Sequence, residues 1–218
     1  MTIMGRTDYP DLFRKNLLVH VPADVKTVLD VGCAKGAFGQ ALKSVNDVEV
    51  WGVEPDDVSA AVAKERLDHV INDFFGPTIR LPNEYFDLIL FNDSLEHMSD
   101  PVMALDLCRS KLKPGGRINC CVPNVRHIDN LEHLILDKDW RYEELGIRDR
   151  THLRFFTEKS VVALFEERGY RVLDVIGIHQ EWWDPRKPLR RLLFRLFPEF
   201  TRDMRHIQIL VIAELPTP

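Results

Sequence analysis

The chain has 218 residues, of which 34 are acidic and 29 basic, so its formal net charge is −5, and 45% of its residues are apolar. A dedicated nucleic-acid binder would carry a basic surplus to neutralise phosphates, so the balance argues against that class. No apolar run approaches the roughly 20 residues that span a bilayer, and a chain of this length buries roughly 70% of its unfolded surface, enough for a soluble core. Four cysteines, Cys33, Cys108, Cys120 and Cys121, lack CxxC spacing and read as small core residues of a reduced compartment. The start, MTIMGRTDYP, has no apolar stretch of signal-peptide length, and the expected location is the cytoplasm.

From about residue 26 short β-branched runs alternate with helical stretches, the pattern of a parallel sheet wrapped by helices. A buried strand over 27–31 ends at Gly32, and a helix follows over 38–45. Next come a strand over 48–53, a helix from 56 to about 67 capped by Asp56 or Asp57, and a short strand over 69–71. The spacing then predicts a strand over 85–91 and a helix over 100–112 opened by Asp100 and Pro101. Lys113-Pro-Gly-Gly reads as a turn into a strand over 117–122, which Pro123 ends.

Residues 123–156 hold few strand signals and many charges and aromatics; a stretch of that length beside core elements is more often functional than idle. A helix over 157–168 has Thr157 as its cap and Gly169 as its stop. Strands over 171–178 and 206–213 flank a basic, aromatic segment and read as an antiparallel hairpin closing the sheet edge. The sequence shows no internal repeat, and 1–218 reads as one domain with its core in 26–122.

The most informative segment is Val28-Leu-Asp-Val-Gly-Cys-Ala-Lys-Gly36. A strand ending at a glycine-bearing loop before a helix aims backbone N–H groups at the carboxyl edge of the sheet, which suits an anion or a ligand carboxylate. A dinucleotide fingerprint needs GxGxxG, whereas here Gly32, Gly36 and Gly39 are spaced differently and Ala34 stands where a middle glycine would be. At the end of the second strand, 22 positions after Gly32, stands Glu54, able to accept both hydroxyls of a ribose. Asp73 and Phe74, just past the third strand, sit where a carboxylate and a backbone amide would read an adenine.

These segments, together with Val53-Glu-Pro, Tyr85-Phe-Asp-Leu-Ile-Leu, Leu95-Glu-His, Asp100-Pro and Leu112-Lys-Pro-Gly-Gly, resemble the class I S-adenosylmethionine-dependent methyltransferases. Within that superfamily the chain is similar to the ubiquinone-biosynthesis-like branch over about residues 26–178. The resemblance implies an α/β, Rossmann-like seven-stranded sheet in the order 3-2-1-4-5-7-6, strand 7 antiparallel, with helices on both faces. It implies S-adenosylmethionine as cofactor, with Asp30, Gly32, Cys33 and Gly36 at the methionine end, Glu54 at the ribose, Asp73 and Phe74 at the adenine, and Asn92 beneath the sulfonium. Ala34 departs from the usual second glycine, and altered loop contact is expected there rather than lost binding. Acidic groups at Asp30, Glu54 and Asp73 with a helix N-terminus complement a ligand that carries a sulfonium, an ammonium and a carboxylate.

Methyl transfer to a hydroxyl needs a base, and His152, His127 and His97 are the candidates, with His133 the weakest. The segment Asp149-Arg-Thr-His-Leu-Arg-Phe-Phe-Thr157 resembles members associated with bacterial envelope polysaccharide pathways, so the expected acceptor is a small hydroxylated molecule such as a sugar or its activated precursor. Residues 123–156 and 179–205 would shape the acceptor pocket. Asp93, Glu96, His97 and the Asp137/Asp139 pair offer oxygen and imidazole ligands but form no recognisable ligand pattern, so they are read first as solvated loop charge, with an assisting metal as the alternative.

Between 186 and 205 seven basic residues face two acidic ones, so the rest of the chain is more acidic than the total suggests. Leu189, Leu192, Leu193, Leu196 and Phe197 recur there at helical spacing with Arg190, Arg191 and Arg195 between them. Such a helix is read first as a lid or homodimer contact packed on the domain, and alternatively as a peripheral membrane contact over 186–198 for a quinone-like or lipid-linked acceptor. Trp182 and Trp183 are available to stack on an acceptor. The other classes are a non-catalytic adaptor keeping the fold and, more distantly, an NAD-dependent oxidoreductase.

Overall fold

A computed structural model describes residues 14–180 and 187–216. Trp182, Trp183 and Arg186 lie outside the described residues. Five strands, β1 (Thr27–Val31), β2 (Glu49–Val53), β3 (His69–Ile71), β4 (Phe86–Asn92) and β5 (Leu112–Pro123), pair in parallel. The last two, β6 (Arg171–Gln180) and β7 (His206–Glu214), are antiparallel to each other, and β7 is antiparallel to β5. The sheet order is β3-β2-β1-β4-β5-β7-β6, as the resemblance implies.

Every residue of β1 is buried, which a strand covered by helices on both faces requires. Alternate residues enter opposite cores. Leu29 and Val31 pack with Ala104, Leu105 and Cys108 of α4 (Pro101–Lys111) and with Val161 and Phe165 of α6 (Glu158–Glu167). Val28 points the other way, onto Phe38 and Leu42 of α2 (Ala37–Val45) and Ala63 at the end of α3 (Asp57–Ala63). Cys120 and Cys121 divide between the same two cores, and all four cysteines are free. Truncating any of these fully buried leucines to alanine would cost about 2–5 kcal/mol.

The caps are where the sequence puts them. The Asp56 carboxylate accepts the Ser59 amide at 2.8 Å, Asp100 accepts that of Met103 at 2.9 Å, and Thr157 forms a capping box with Ser160. Helix α3 is shorter than expected, stopping at Ala63. The Lys113-Pro-Gly-Gly turn lies inside β5 as a bulge: the strand pairs Phe86 with Leu112, then resumes at Leu88 with Arg117.

Residues 123–156 contribute a short helix, α5 (Ile128–Glu132), and a π-helical turn (His133–Asp137) before irregular backbone. The basic segment does form a helix, α7 (Pro188–Leu196), but it packs through an unexpected face. Phe194 is buried with Ile128 and Met204, and Arg190 is buried against Asp129 and Glu132, with Arg190 Nε to Glu132 Oε1 at 2.9 Å. Leu189, Leu192, Leu196 and Phe197 are exposed, Leu189 by 80%. Of the leucine stripe only Leu193 packs on the domain, and two of the cations attributed to a basic flap, Lys187 and Arg190, are held by the acidic residues of α5. Among the described residues, no helix is long and apolar enough to cross a membrane.

Candidate functional site

The carboxyl ends of β1, β2 and β4 converge on the loop between β1 and α2. Gly32 has φ +76°, and a Cβ there would stand 2.7 Å from the Ser94 Cβ, so this close approach of β1 to the chain after β4 requires glycine. Ser94 Oγ donates to the Val31 carbonyl at 2.6 Å and closes the contact. The amides of Gly32 and Cys33 both donate to the Val53 carbonyl, at 2.8 and 3.2 Å, tying the loop to the end of β2. Ala34 also takes a positive φ, +47°, and Gly36 at +74° is the N-cap of α2.

Two carboxylates lie under this loop. Asp30 is 2% exposed, its Oδ1 has no hydrogen-bond partner, and burial together with the charge of Glu54 pushes its pKa up to about 7. Glu54 uses both oxygens: Oε2 accepts the Ala34 amide and Oε1 the Asp56 amide, each at 2.9 Å. Burial raises its pKa, and those two amides pull it back. The Cys33 thiol, buried beside both carboxylates, is pushed well above its ordinary value and is no nucleophile. Across the loop, Asn92 at the end of β4 has a buried Nδ2 without a partner. Orphaned acceptor and donor atoms beside a half-neutral carboxyl pair fit a bound cation with hydrogen-bonding groups, and S-adenosylmethionine is such a ligand.

Asp73 and Phe74 follow β3, where the Phe74 amide donates to Asp73 Oδ1 at 2.7 Å, and the Phe74 ring is 65% exposed. The two groups expected to read an adenine satisfy each other in this state.

Beyond β4 the chain makes a 3₁₀ turn, Leu95–His97, and sequence-distant residues are strapped to it. The amides of Leu153 and Arg154 donate to the Glu96 carbonyl at 2.9 and 3.0 Å, and His97 Nδ1 lies 3.2 Å from the Thr151 carbonyl. His152 is thereby set against His97, their ring centroids 4.8 Å apart, with Phe155 and Trp140 continuing the aromatic cluster. His152 Nδ1 lies 3.1 Å from the Ile147 carbonyl. Glu96, named in the sequence only among possible oxygen ligands and not among the bases, is 1% exposed, and neither of its carboxylate oxygens has a hydrogen-bond partner. Burial pushes its pKa up to about 8. A carboxylate adjacent to His97 in the Leu95-Glu-His segment was the available signal, but only the fold brings His152 to it.

The other histidines stand apart. His127 is buried at the N-cap of α5, with Nδ1 3.9 Å from Asp129, and exposed His133 pairs with Asp137 at 2.7 Å. Asp93, at φ +56°, is bound by Arg14 and Gln208, and Asp139 by Arg141 at 2.5 Å, so neither joins the histidine cluster.

Residues 6–175 match the family model described as a methyltransferase domain. The chain is 27% identical over 173 residues to a ubiquinone biosynthesis O-methyltransferase of Cereibacter sphaeroides, covering 76% of this chain and 68% of that one. In fold it is similar to a SAM-dependent methyltransferase from Archaeoglobus fulgidus, with TM-score 0.65, 20% identity and 91% of both chains covered. It is likewise similar to a putative methyltransferase bound to the Trm112 activator of Haloferax volcanii, with TM-score 0.68 and 17% identity over 94% of this chain and 89% of that one. The chain belongs to the methyltransferase-domain family and has the sheet order of the class I S-adenosylmethionine-dependent methyltransferases.

Proposed function

We propose that the enzyme works in the cytoplasm and methylates a hydroxyl oxygen of a small acceptor, a sugar of an envelope polysaccharide or its activated precursor. The observation that carries O-methylation is the pair His97 and His152 held beside the buried Glu96 immediately after β4. Burial holds both imidazoles below the ordinary histidine range, so each is neutral and able to accept a proton at pH 7. His127 is the third base in this reading. Bound S-adenosylmethionine supplies an activated methyl group; the protein aligns the acceptor oxygen, excludes water and relieves it of its proton.

The cofactor would lie along the loop after β1, with Asp30, Gly32, Cys33 and Gly36 at its methionine end, Glu54 at the ribose, Asp73 and Phe74 at the adenine and Asn92 beneath the sulfonium. The name of the curated relative supports oxygen as the methylated atom. A sugar is supported by the resemblance of residues 149–157. Calorimetry with S-adenosylhomocysteine and a screen of nucleotide sugars with labelled cofactor test the reading. Micromolar binding that Glu54→Ala abolishes, with label transferred to a sugar, is the expected result; absence of cofactor binding overturns it.

A second reading, methylation of a lipid-soluble phenol at a membrane surface, is favoured by the exposed leucines of α7. An adaptor without catalysis would bind the cofactor and leave it unchanged with every acceptor.

A further inference from the structure

Two large aromatic side chains stand beside the histidines without a role in the cofactor site. Phe155 is 38% exposed and Trp140 half-buried, whereas Phe156, one residue on, is 7% exposed and part of the main core. The Trp140 and Phe155 rings form a T-shaped pair with centroids 5.2 Å apart, and Phe155 meets His152 at 6.4 Å, again edge to face. His152 in turn lies 4.8 Å from His97, so one run of rings leads from the surface to the turn after β4.

The backbone fixes both outer rings in place. On one side of Phe155 the amides of Leu153 and Arg154 donate to the Glu96 carbonyl. On the other, the Val125 amide donates to the Phe156 carbonyl at 3.0 Å and the Phe156 ring anchors in the core, so alternation along the chain turns Phe155 outward. Trp140 is held through its neighbour: Arg148 Nε donates to the Arg141 carbonyl at 3.1 Å, and Arg148 Nη1 to Asn130 Oδ1 of α5 at 3.2 Å. Rings held in this way lose little freedom when a ligand covers them.

Their surroundings decide what fits. Asp139 and Arg141, which flank Trp140 in the chain, pair at 2.5 Å, and Arg154 is exposed next to Phe155. A hydrocarbon chain would want an enclosed apolar slot. A pyranose offers one face of C–H bonds to the negative face of an aromatic ring and keeps its hydroxyls at the edge for polar groups and water.

We propose that Trp140 and Phe155 form the platform on which the acceptor's pyranose ring rests, with an edge hydroxyl directed toward His97 and His152. This rests on the O-methylation reading and adds to it the residues that select a ring over an open-chain alcohol. Neither side chain makes or breaks a bond; both position the acceptor, so their loss weakens its binding more than it slows the transfer.

The test offers labelled S-adenosylmethionine and the full-length enzyme three sets of acceptors: nucleotide-linked hexoses with methyl hexopyranosides, catechols, and the open-chain polyols glycerol and sorbitol. The hexoses are expected to be methylated and the polyols not. Trp140→Ala and Phe155→Ala should raise the acceptor KM about tenfold or more while kcat stays within about threefold, and Trp140→Phe, which keeps a ring, should recover most of the loss. Unchanged S-adenosylhomocysteine affinity by calorimetry certifies the fold of each variant. Hexose methylation with KM unmoved in both alanine variants overturns the platform and leaves the O-methylation reading standing, as does sorbitol methylated as readily as the hexoses. Catechols methylated in place of hexoses, with KM moved by the variants, overturn the pyranose assignment and leave the platform. Saturation-transfer NMR on the S-adenosylhomocysteine complex reads ring contact without turnover: contact with methyl hexopyranosides that Trp140→Ala abolishes upholds the platform even where no methyl is transferred, and no contact in the wild type overturns it.

Discussion

The carboxylate of Glu54 and the backbone amide of Ala34 meet at 2.9 Å, joining the end of β2 to the loop after β1. The residue assigned to the ribose is thus also a latch that shapes the loop around the methionine end of the cofactor. A ribose competes for oxygens that already accept the Ala34 and Asp56 amides, which a carboxylate with about four acceptor positions can accommodate.

Ala34 holds its place in that latch at φ +47°, where an L-residue pays about 1–2 kcal/mol and glycine almost nothing. Glycine would take this backbone without strain, and Ala34 keeps the loop's path at that cost. Ala34→Gly is expected to raise stability by about 0.5–1 kcal/mol, or roughly 1–4 °C in melting temperature, and to leave S-adenosylhomocysteine affinity within about threefold. A lower melting temperature by calorimetry would show that the loop is not strained at this residue.

Gly32→Ala should behave in the opposite way. Its Cβ would stand 2.7 Å from that of Ser94, whose hydroxyl bonds the Val31 carbonyl, and the backbone is again at positive φ. Overpacking and strain together cost about 2–4 kcal/mol, and the turn bearing Glu96 and His97 is displaced with Ser94. Denaturant titration should show that loss, together with weaker S-adenosylhomocysteine binding; unchanged values for both would mean that the β1–β4 contact does not position the site.

Asp30 predicts a proton count. Its pKa stands at about 7 through burial and the neighbouring Glu54, far above the ordinary carboxylate value of 3.8, so the folded form prefers it protonated. The associated stability is therefore full at acid pH and is lost as pH rises through about 7, by at most about 4 kcal/mol for a shift of about three units. A cationic ligand beside Asp30 reverses the preference, so cofactor binding at pH 7 should release about half a proton. Calorimetry in buffers of different ionisation enthalpy reads this directly. Asp30→Asn should abolish the release, weaken binding about 10–100-fold and make the unliganded protein more stable at pH 8 than wild type.

The strand pattern was legible because β1 and β4 are short, mostly apolar runs, and three of the helices carry a cap whose chemistry is local: Asp56, Asp100 and Thr157 needed nothing distant. The register of Asp30 with Glu54 was legible for the same reason, since strand ends in a parallel sheet fall on one edge. What stayed hidden was long-range. His97 and Thr151 are 54 residues apart, and backbone bonds from Leu153 and Arg154 to Glu96, which no side-chain pattern encodes, make them neighbours. The orientation of α7 was hidden likewise, because a leucine stripe ordinarily marks the packed face, whereas here Arg190 finds Asp129 and Glu132 on a helix 58 or more residues earlier and turns that stripe outward.

That outward stripe gives the last prediction. Leu189, Leu192, Leu196, Phe197 and Phe200 are exposed together, while Lys187 and Arg190 are engaged by α5, so attraction to a bilayer would be mainly apolar. If the acceptor is lipid-soluble, the protein should co-sediment with vesicles containing phosphatidylglycerol and lose little of that binding when salt is raised from 0.1 to about 0.5 M. Burying a leucine contributes about 1.5–3 kcal/mol, so Leu192→Glu with Leu196→Glu should lower partitioning by about 100-fold or more without altering S-adenosylhomocysteine affinity. Wild-type protein that stays in the supernatant removes the membrane reading and leaves the polar acceptor. Binding that the double variant retains assigns the contact to a different surface.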